Sequence, residues 1–145
     1  MPKPSLTQSY QQLTYAAAAV AVAAAVEKSR ELSAPECIAV VDAGGNLLAF
    51  ARVEGAVVLA RKPAIAKAAT SASLGIPTGG ISFEFGANLG IASDGGLTNL
   101  GGGFPIIFGG EVIGAIGVGS GTTAQDIAVA EAGRDAILAA LAAAA

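Results

Sequence analysis

Histidine and tryptophan are absent from this 145-residue chain, cysteine and methionine occur once each, and only 13% of the residues are charged. Each shortage excludes something. Without histidine there is no His-dependent catalytic triad, and the commonest transition-metal ligand is missing. A single cysteine permits neither an internal disulfide nor a cysteine-based zinc site. The net charge of -3, with no lysine and arginine cluster, argues against nucleic acid, whose phosphates call for a concentrated positive surface. The apolar stretch Ala16 to Val26 has no leucine, is too short and alanine-rich to span a membrane, and runs unbroken into Glu27-Lys28-Ser29-Arg30-Glu31. It reads as the first structural helix, opened by Thr14 and stopped by Ser33-Ala34-Pro35, and not as a secretion signal. The expectations are therefore a cytoplasmic protein with no membrane partner.

What is present is apolar and glycine-rich: 53% hydrophobic residues and 20 glycines. A chain of 14.0 kDa folds into one domain with a surface of about 6,700 Å², which leaves roughly 350 Å² for each charged residue. A monomer so sparsely charged exposes apolar patches of the kind that mark interfaces, so a homo-oligomer is expected.

Local signals agree best over Gly101 to Asp126. Phe104 to Phe108 is an apolar, β-prone run, Gly109-Gly110 suits a two-residue hairpin, and Glu111 to Val118 resumes the strand pattern. Thr122 with Gln125, or Thr123 with Asp126, then forms a capping box for the last helix. Glycines 114, 117 and 119 strip part of one strand face, so a packed helix, a neighbouring subunit or a flat ligand lies against it. The whole chain reads as helix 14–32, strands 37–42 and 46–52, helix 57–74, an irregular segment 75–95, three strands within 96–119 and helix 123–143. Pro63 either kinks the second helix or sits in its first turn behind a separate turn. This order describes an α+β domain, residues 1–145, with one five-stranded antiparallel sheet.

The run from Gly101 to Asp126 resembles the signature of the GlcG/HbpS family, often labelled haem-degrading, which includes the C-terminal domain of PduO-type corrinoid adenosyltransferases. Val40-Val41-Asp42-Ala43-Gly44-Gly45-Asn46, the step Glu54-Gly55-Ala56, and Lys67-Ala68-Ala69-Thr70 with Pro77-Thr78 extend the likeness over roughly residues 13 to 140. The resemblance implies a profilin-like arrangement with helices on both faces of the sheet. It also implies a higher oligomer and the binding of haem or a comparable small molecule.

Residues able to carry chemistry are few. Lys67, in an apolar helical stretch, is either a snorkelling surface lysine or a partly buried ammonium that meets a carbonyl or carboxylate. Glu84 and Asp94, in the long segment before the glycine loop, are the candidate acid or base partners of Lys67. Phe83 and Phe85 beside them can wall an apolar ligand. Arg52, Thr70, Phe104 and the backbone donors of Gly101, Gly102 and Gly103 complete the candidate ligand site, and Lys67 is expected to share one pocket with that glycine loop and the 84–94 segment. Asp42 reads as a turn residue and Asp126 as a helix-start carboxylate. With no histidine, any haem must be ligated by Tyr10, Tyr15, Cys37 or Met1, or be held by packing and by basic contacts to its propionates. The alternative is a cofactor-independent isomerase, lyase or cyclase using Lys67 and the carboxylates to polarise a carbonyl and move a proton. An assembly module without catalysis is the third reading.

Overall fold

The computed structural model describes all 145 residues. Nine elements follow the 14-residue N-terminal arm: α1 (Tyr15–Glu31), β1 (Cys37–Asp42), β2 (Leu47–Arg52), a 3-10 turn (Val58–Ala60), α2 (Arg61–Leu74), α3 (Phe83–Ala92), β3 (Gly103–Phe108), β4 (Glu111–Gly119) and α4 (Thr123–Ala144). The strands form a single antiparallel sheet in the order β2-β1-β4-β3. Pro105, which lacks an N–H, falls on the edge strand β3, where that loss is tolerated.

Side chains alternate across β1, a central strand buried on both faces. Ile38 and Val40 face one layer, where α1 and α4 pack with Ala21, Ala25, Val129 and Ile137; Cys37, Ala39 and Val41 face the other, where α2 packs with Ala60, Ala64 and Ala68. The alanine-rich stretch is thus part of the core: Ala18, Ala21 and Ala25 of α1 are fully buried. No helix is long and apolar enough to cross a membrane.

The sheet has four strands, not five. Three strands were expected within 96–119 and only β3 and β4 form; in the stretch before them the amides go to side chains, Leu97 N–H to Ser93 Oγ, Thr98 N–H to Thr70 Oγ1, and Leu100 N–H to Thr98 Oγ1. A segment whose donors are used this way joins no ladder. The irregular segment 75–95 also needs correction, because it contains α3. Ser82 caps that helix by accepting from Phe85 N–H, Glu84 lies in its first turn, and Asp94 and Gly95 end it with φ of 54° and 76°. Pro63 sits in the first turn of α2 behind the separate 3-10 turn, and Gly75 closes α2 in the left-handed conformation. The capping box at Thr122 and Gln125 is present.

Candidate functional site

The glycine-stripped face of β4 is covered by α2. A β-carbon at Gly117 would run into Ala64 O and Ala68 N, and one at Gly103 would lie 2.5 Å from Lys67 O. Glycine here allows helix and sheet backbones to touch, and the contact carries Lys67 inward until it is only 4% exposed. Its ammonium donates to Val118 O at 2.7 Å and to Asp126 Oδ2 at 2.9 Å. The N–H of Gly121 is shared by Asp126 Oδ1 at 3.0 Å and Glu36 Oε2 at 2.7 Å. Lys67 is therefore no snorkelling lysine, and Asp126 does more than complement a helix start.

Glu36 is the residue that sequence reasoning missed. It is fully buried just before β1, and its Oε1 has no hydrogen-bond partner. Burial, then the charge of Asp126 and a hydrogen bond with that carboxyl, push its pKa up to about 8, against the opposing pull of the Gly121 N–H and the Lys67 charge. At neutral pH the cluster holds an ammonium, a carboxylate and a protonated acid. A protonated Glu36 can donate to the Asp126 carboxyl, which a carboxylate cannot. The turn above is tightly fitted: Ser120 has φ of 110°, and a β-carbon at Gly121 would collide with Glu36 Oε1. None of the principal hollows of the molecule reaches this cluster.

The expected constellation is divided by the fold. Gly102 does lie against Lys67, where a β-carbon would be 3.3 Å from Nζ, and Gly101 packs on Thr123. The glycine loop closes over the lysine and leaves no pocket there. Glu84 and Asp94 are exposed on α3 and just beyond it, and neither meets Lys67. Arg52 is exposed at the end of β2. Phe104 is buried in the α1/α4 layer with Arg134 stacked 4.9 Å from its ring centroid.

An open groove lies on the other side of α2. It measures about 410 Å³ and is bounded by Lys62, Pro63 and Ala66 of α2, by Ala87 and Gly90 of α3, and by Leu97, Thr98 and Leu100 of the connecting segment. A shallower extension of about 260 Å³ shares Ala87, Thr98 and Leu100 and ends at Phe83. Thr70 fixes the floor, donating to Ala66 O at 2.7 Å and accepting from Thr98 N–H at 2.9 Å. Asn99 ties the segment to the start of α3 through both Ile81 N–H and Ile81 O. A β-carbon on Gly86 would be 2.6 Å from Asn99 Cβ, so glycine lets α3 settle on the segment. Phe85 is exposed but outside the groove. A hollow of similar size, about 420 Å³, lies between residues 11–14, Phe108 and the end of α4, but its wall includes the terminal Ala144 and Ala145 and it contains no charged residue.

A family model described as haem degrading protein HbpS-like matches residues 13–135. The chain belongs to the HbpS-like family. An uncharacterized 15.0 kDa protein of Citrobacter freundii, from the dhaT-dhaS intergenic region, is 35% identical over 134 residues, covering 89% of this chain and 94% of that protein. The crystal structure of Klebsiella pneumoniae ORFY is similar with a TM-score of 0.87 and 32% identity, over 95% of this chain and 99% of that one. HbpS itself gives 0.80 and 29% over 93% and 96%, and the PduOC complex with haem gives 0.79 and 25% over 86% and 94%.

Proposed function

We propose that this HbpS-like protein binds a small, flat, largely apolar molecule of the tetrapyrrole kind in the groove between α2 and α3. The observation that carries the reading is the groove's make-up: apolar walls from Pro63, Ala66, Ala87, Leu97 and Leu100, a floor fixed by the Thr70–Thr98 hydrogen bond, and a cation at its rim. Binding of haem by the related PduOC domain supports it.

The donor set fits the macrocycle of haem better than its iron. Cys37 is fully buried, burial pushes its thiol pKa up, and its Sγ lies 3.7 Å from Val57 O. Tyr10, Tyr15 and Met1 belong to the N-terminal arm and the start of α1, and none of the four lines the groove. Packing is then the main source of affinity, and no ligation step is assigned to these residues. Titration of the protein with hemin, followed by the Soret band, tests the reading together with Leu100→Asp, which places a charge in the apolar wall at a site 57% exposed in the free protein. Binding by the native chain and its loss in the variant are expected; equal binding by both contradicts the groove.

We also propose that the protein works as a cytoplasmic homo-oligomer. Leu59, Phe83, Phe85 and Ile91 are 82%, 88%, 58% and 80% exposed, more large apolar surface around α3 than a sparsely charged monomer normally presents. Light scattering at micromolar concentration should report a particle of at least twice 14.0 kDa. A 14.0 kDa particle contradicts it.

A further inference from the structure

We propose that Lys62 recognises a carboxylate of the ligand, so that the groove selects flat apolar acids and is indifferent to any metal they carry. This inference rests on the groove reading above and adds the ligand's class. Lys62 is exposed in the first turn of α2, and the molecule's three salt bridges, Lys28–Glu31, Lys67–Asp126 and Arg134–Asp135, leave it free. It is the only charged residue lining the groove or its extension; Glu84 and Asp94, although close in sequence to the α3 wall, line neither.

Its place on the helix is locally unfavourable. The first turn of α2 contains Arg61 and Lys62 and no acidic residue, so positive side chains stand where the helix dipole is already positive. Arg61 donates to Val58 O, but Lys62 makes no such contact; α3 and α4 each begin with a carboxylate in the first turn, and α1 begins with no charge there. A local rule broken without a compensating contact is what a binding function leaves behind. An anionic group seated at the groove's rim meets both the ammonium and the helix start, with apolar walls that raise the strength of the pairing. Across the groove, the ring system meets Ala87, Gly90, Leu97 and Leu100 and no histidine, cysteine, methionine, tyrosine or carboxylate. An iron or other metal in the ring therefore meets none of the usual haem ligands in the groove, where the only side-chain oxygens are those of Thr98, which already accepts from Leu100 N–H, and Asn99 of the extension, which is held by Ile81.

The test uses three probes on the full chain: hemin, metal-free protoporphyrin, and the dimethyl ester of metal-free protoporphyrin. Hemin and the metal-free diacid should bind within about threefold of each other, and the diester about tenfold or more weaker, the loss expected for one charge-assisted contact. Lys62→Glu should bring the diacid down to the level of the diester. Its thermal midpoint, measured alongside, shows whether the variant is folded, and Lys62→Gln provides a neutral second variant with an intermediate effect. If diacid and diester bind alike, with Lys62→Glu without effect, the Lys62 inference is overturned while the groove reading stands. If hemin binds about a hundredfold tighter than the metal-free diacid, side-chain ligation operates and the metal-indifference is overturned. If no probe binds, the groove reading fails and this inference with it.

Discussion

Lys62 and Lys67 lie on the same helix, five residues apart, and the fold treats them oppositely. Lys67 faces the sheet, 4% exposed, and donates to Val118 O and Asp126. Lys62 faces the groove, exposed and without a salt bridge. One side of α2 rests on glycine-stripped strands and the other borders open space beneath α3. The difference separates a charge that holds structure together from a charge left available for a partner. A buried ion pair adds little net stability over an apolar replacement of both partners, but removing one partner strands the other in a low-dielectric interior. An exposed lysine without contacts can be lost at almost no cost to the fold.

The largest expected effect follows directly. Lys67→Met should cost about 3–5 kcal/mol, because Asp126 is left buried beside Glu36 with no cation. Urea unfolding monitored by circular dichroism measures it, and a loss below about 1 kcal/mol would break the contrast between the two sides of α2. Gly117→Ala comes next, at about 1–3 kcal/mol, since its methyl meets the α2 backbone at Ala64 and Ala68. On the groove side the sign should reverse. Gly90 lies within α3 and the nearest neighbour of an added methyl is 3.7 Å away, so Gly90→Ala should stabilise by about 0.5–1 kcal/mol in the same assay.

Stability should also depend on pH. Glu36 holds its proton up to about 8 in the folded protein against an ordinary value of 4.5, so folding favours the protonated form. Its contribution is complete below about pH 4.5, declines as pH rises, and is gone above about 8, with a slope of at most about 1.4 kcal/mol per pH unit. Glu36→Gln imitates the neutral acid: its amide can donate toward Asp126 and its oxygen can accept from Gly121. Melts across that range should therefore lose most of their alkaline decline in the variant. A native-like decline in the variant would assign the effect elsewhere. The smallest effect is that of Lys62→Ala, which should leave stability within about 0.5 kcal/mol of native while the affinity for a carboxylate-bearing ligand falls.

Much of this frame was legible in the sequence because it rests on local signals. The hairpin at Gly109-Gly110, the Thr122 cap and the limits of β1 all depend on residues close to one another; of the partners left open for the glycine-stripped strand, α2 and the turn before it cover Gly117 and Gly119, whereas Gly114 meets Leu13 and Val41. The candidate site was less legible because it depends on distant pairings. Lys67 is buried by Asp126, 59 residues away, and Glu36 meets the same turn across 85 residues, separations that no periodicity reports. α3 was hidden by Gly86 and Gly90, which read as loop although Ser82 and Glu84 supply an ordinary helix start. The third of the strands expected within 96–119 does not form, because the amides of Leu97, Thr98 and Leu100 serve the Ser93, Thr70 and Thr98 side chains. Phe83 and Phe85 read as wall residues because aromatics in a long connection suggest an apolar surface; Phe83 borders the groove's extension and Phe85 does not. Lys62 was passed over because a surface lysine at a helix start is conspicuous only once its neighbours in space are known.

Amide hydrogen exchange with and without saturating metal-free protoporphyrin reads directly where a ligand sits. Protection confined to residues 61–66 and 83–100 is the predicted result. Protection centred on the turn at 119–122 over Glu36 and Lys67, or on residues 11–14 and the end of α4, would contradict the assignment of the groove between α2 and α3.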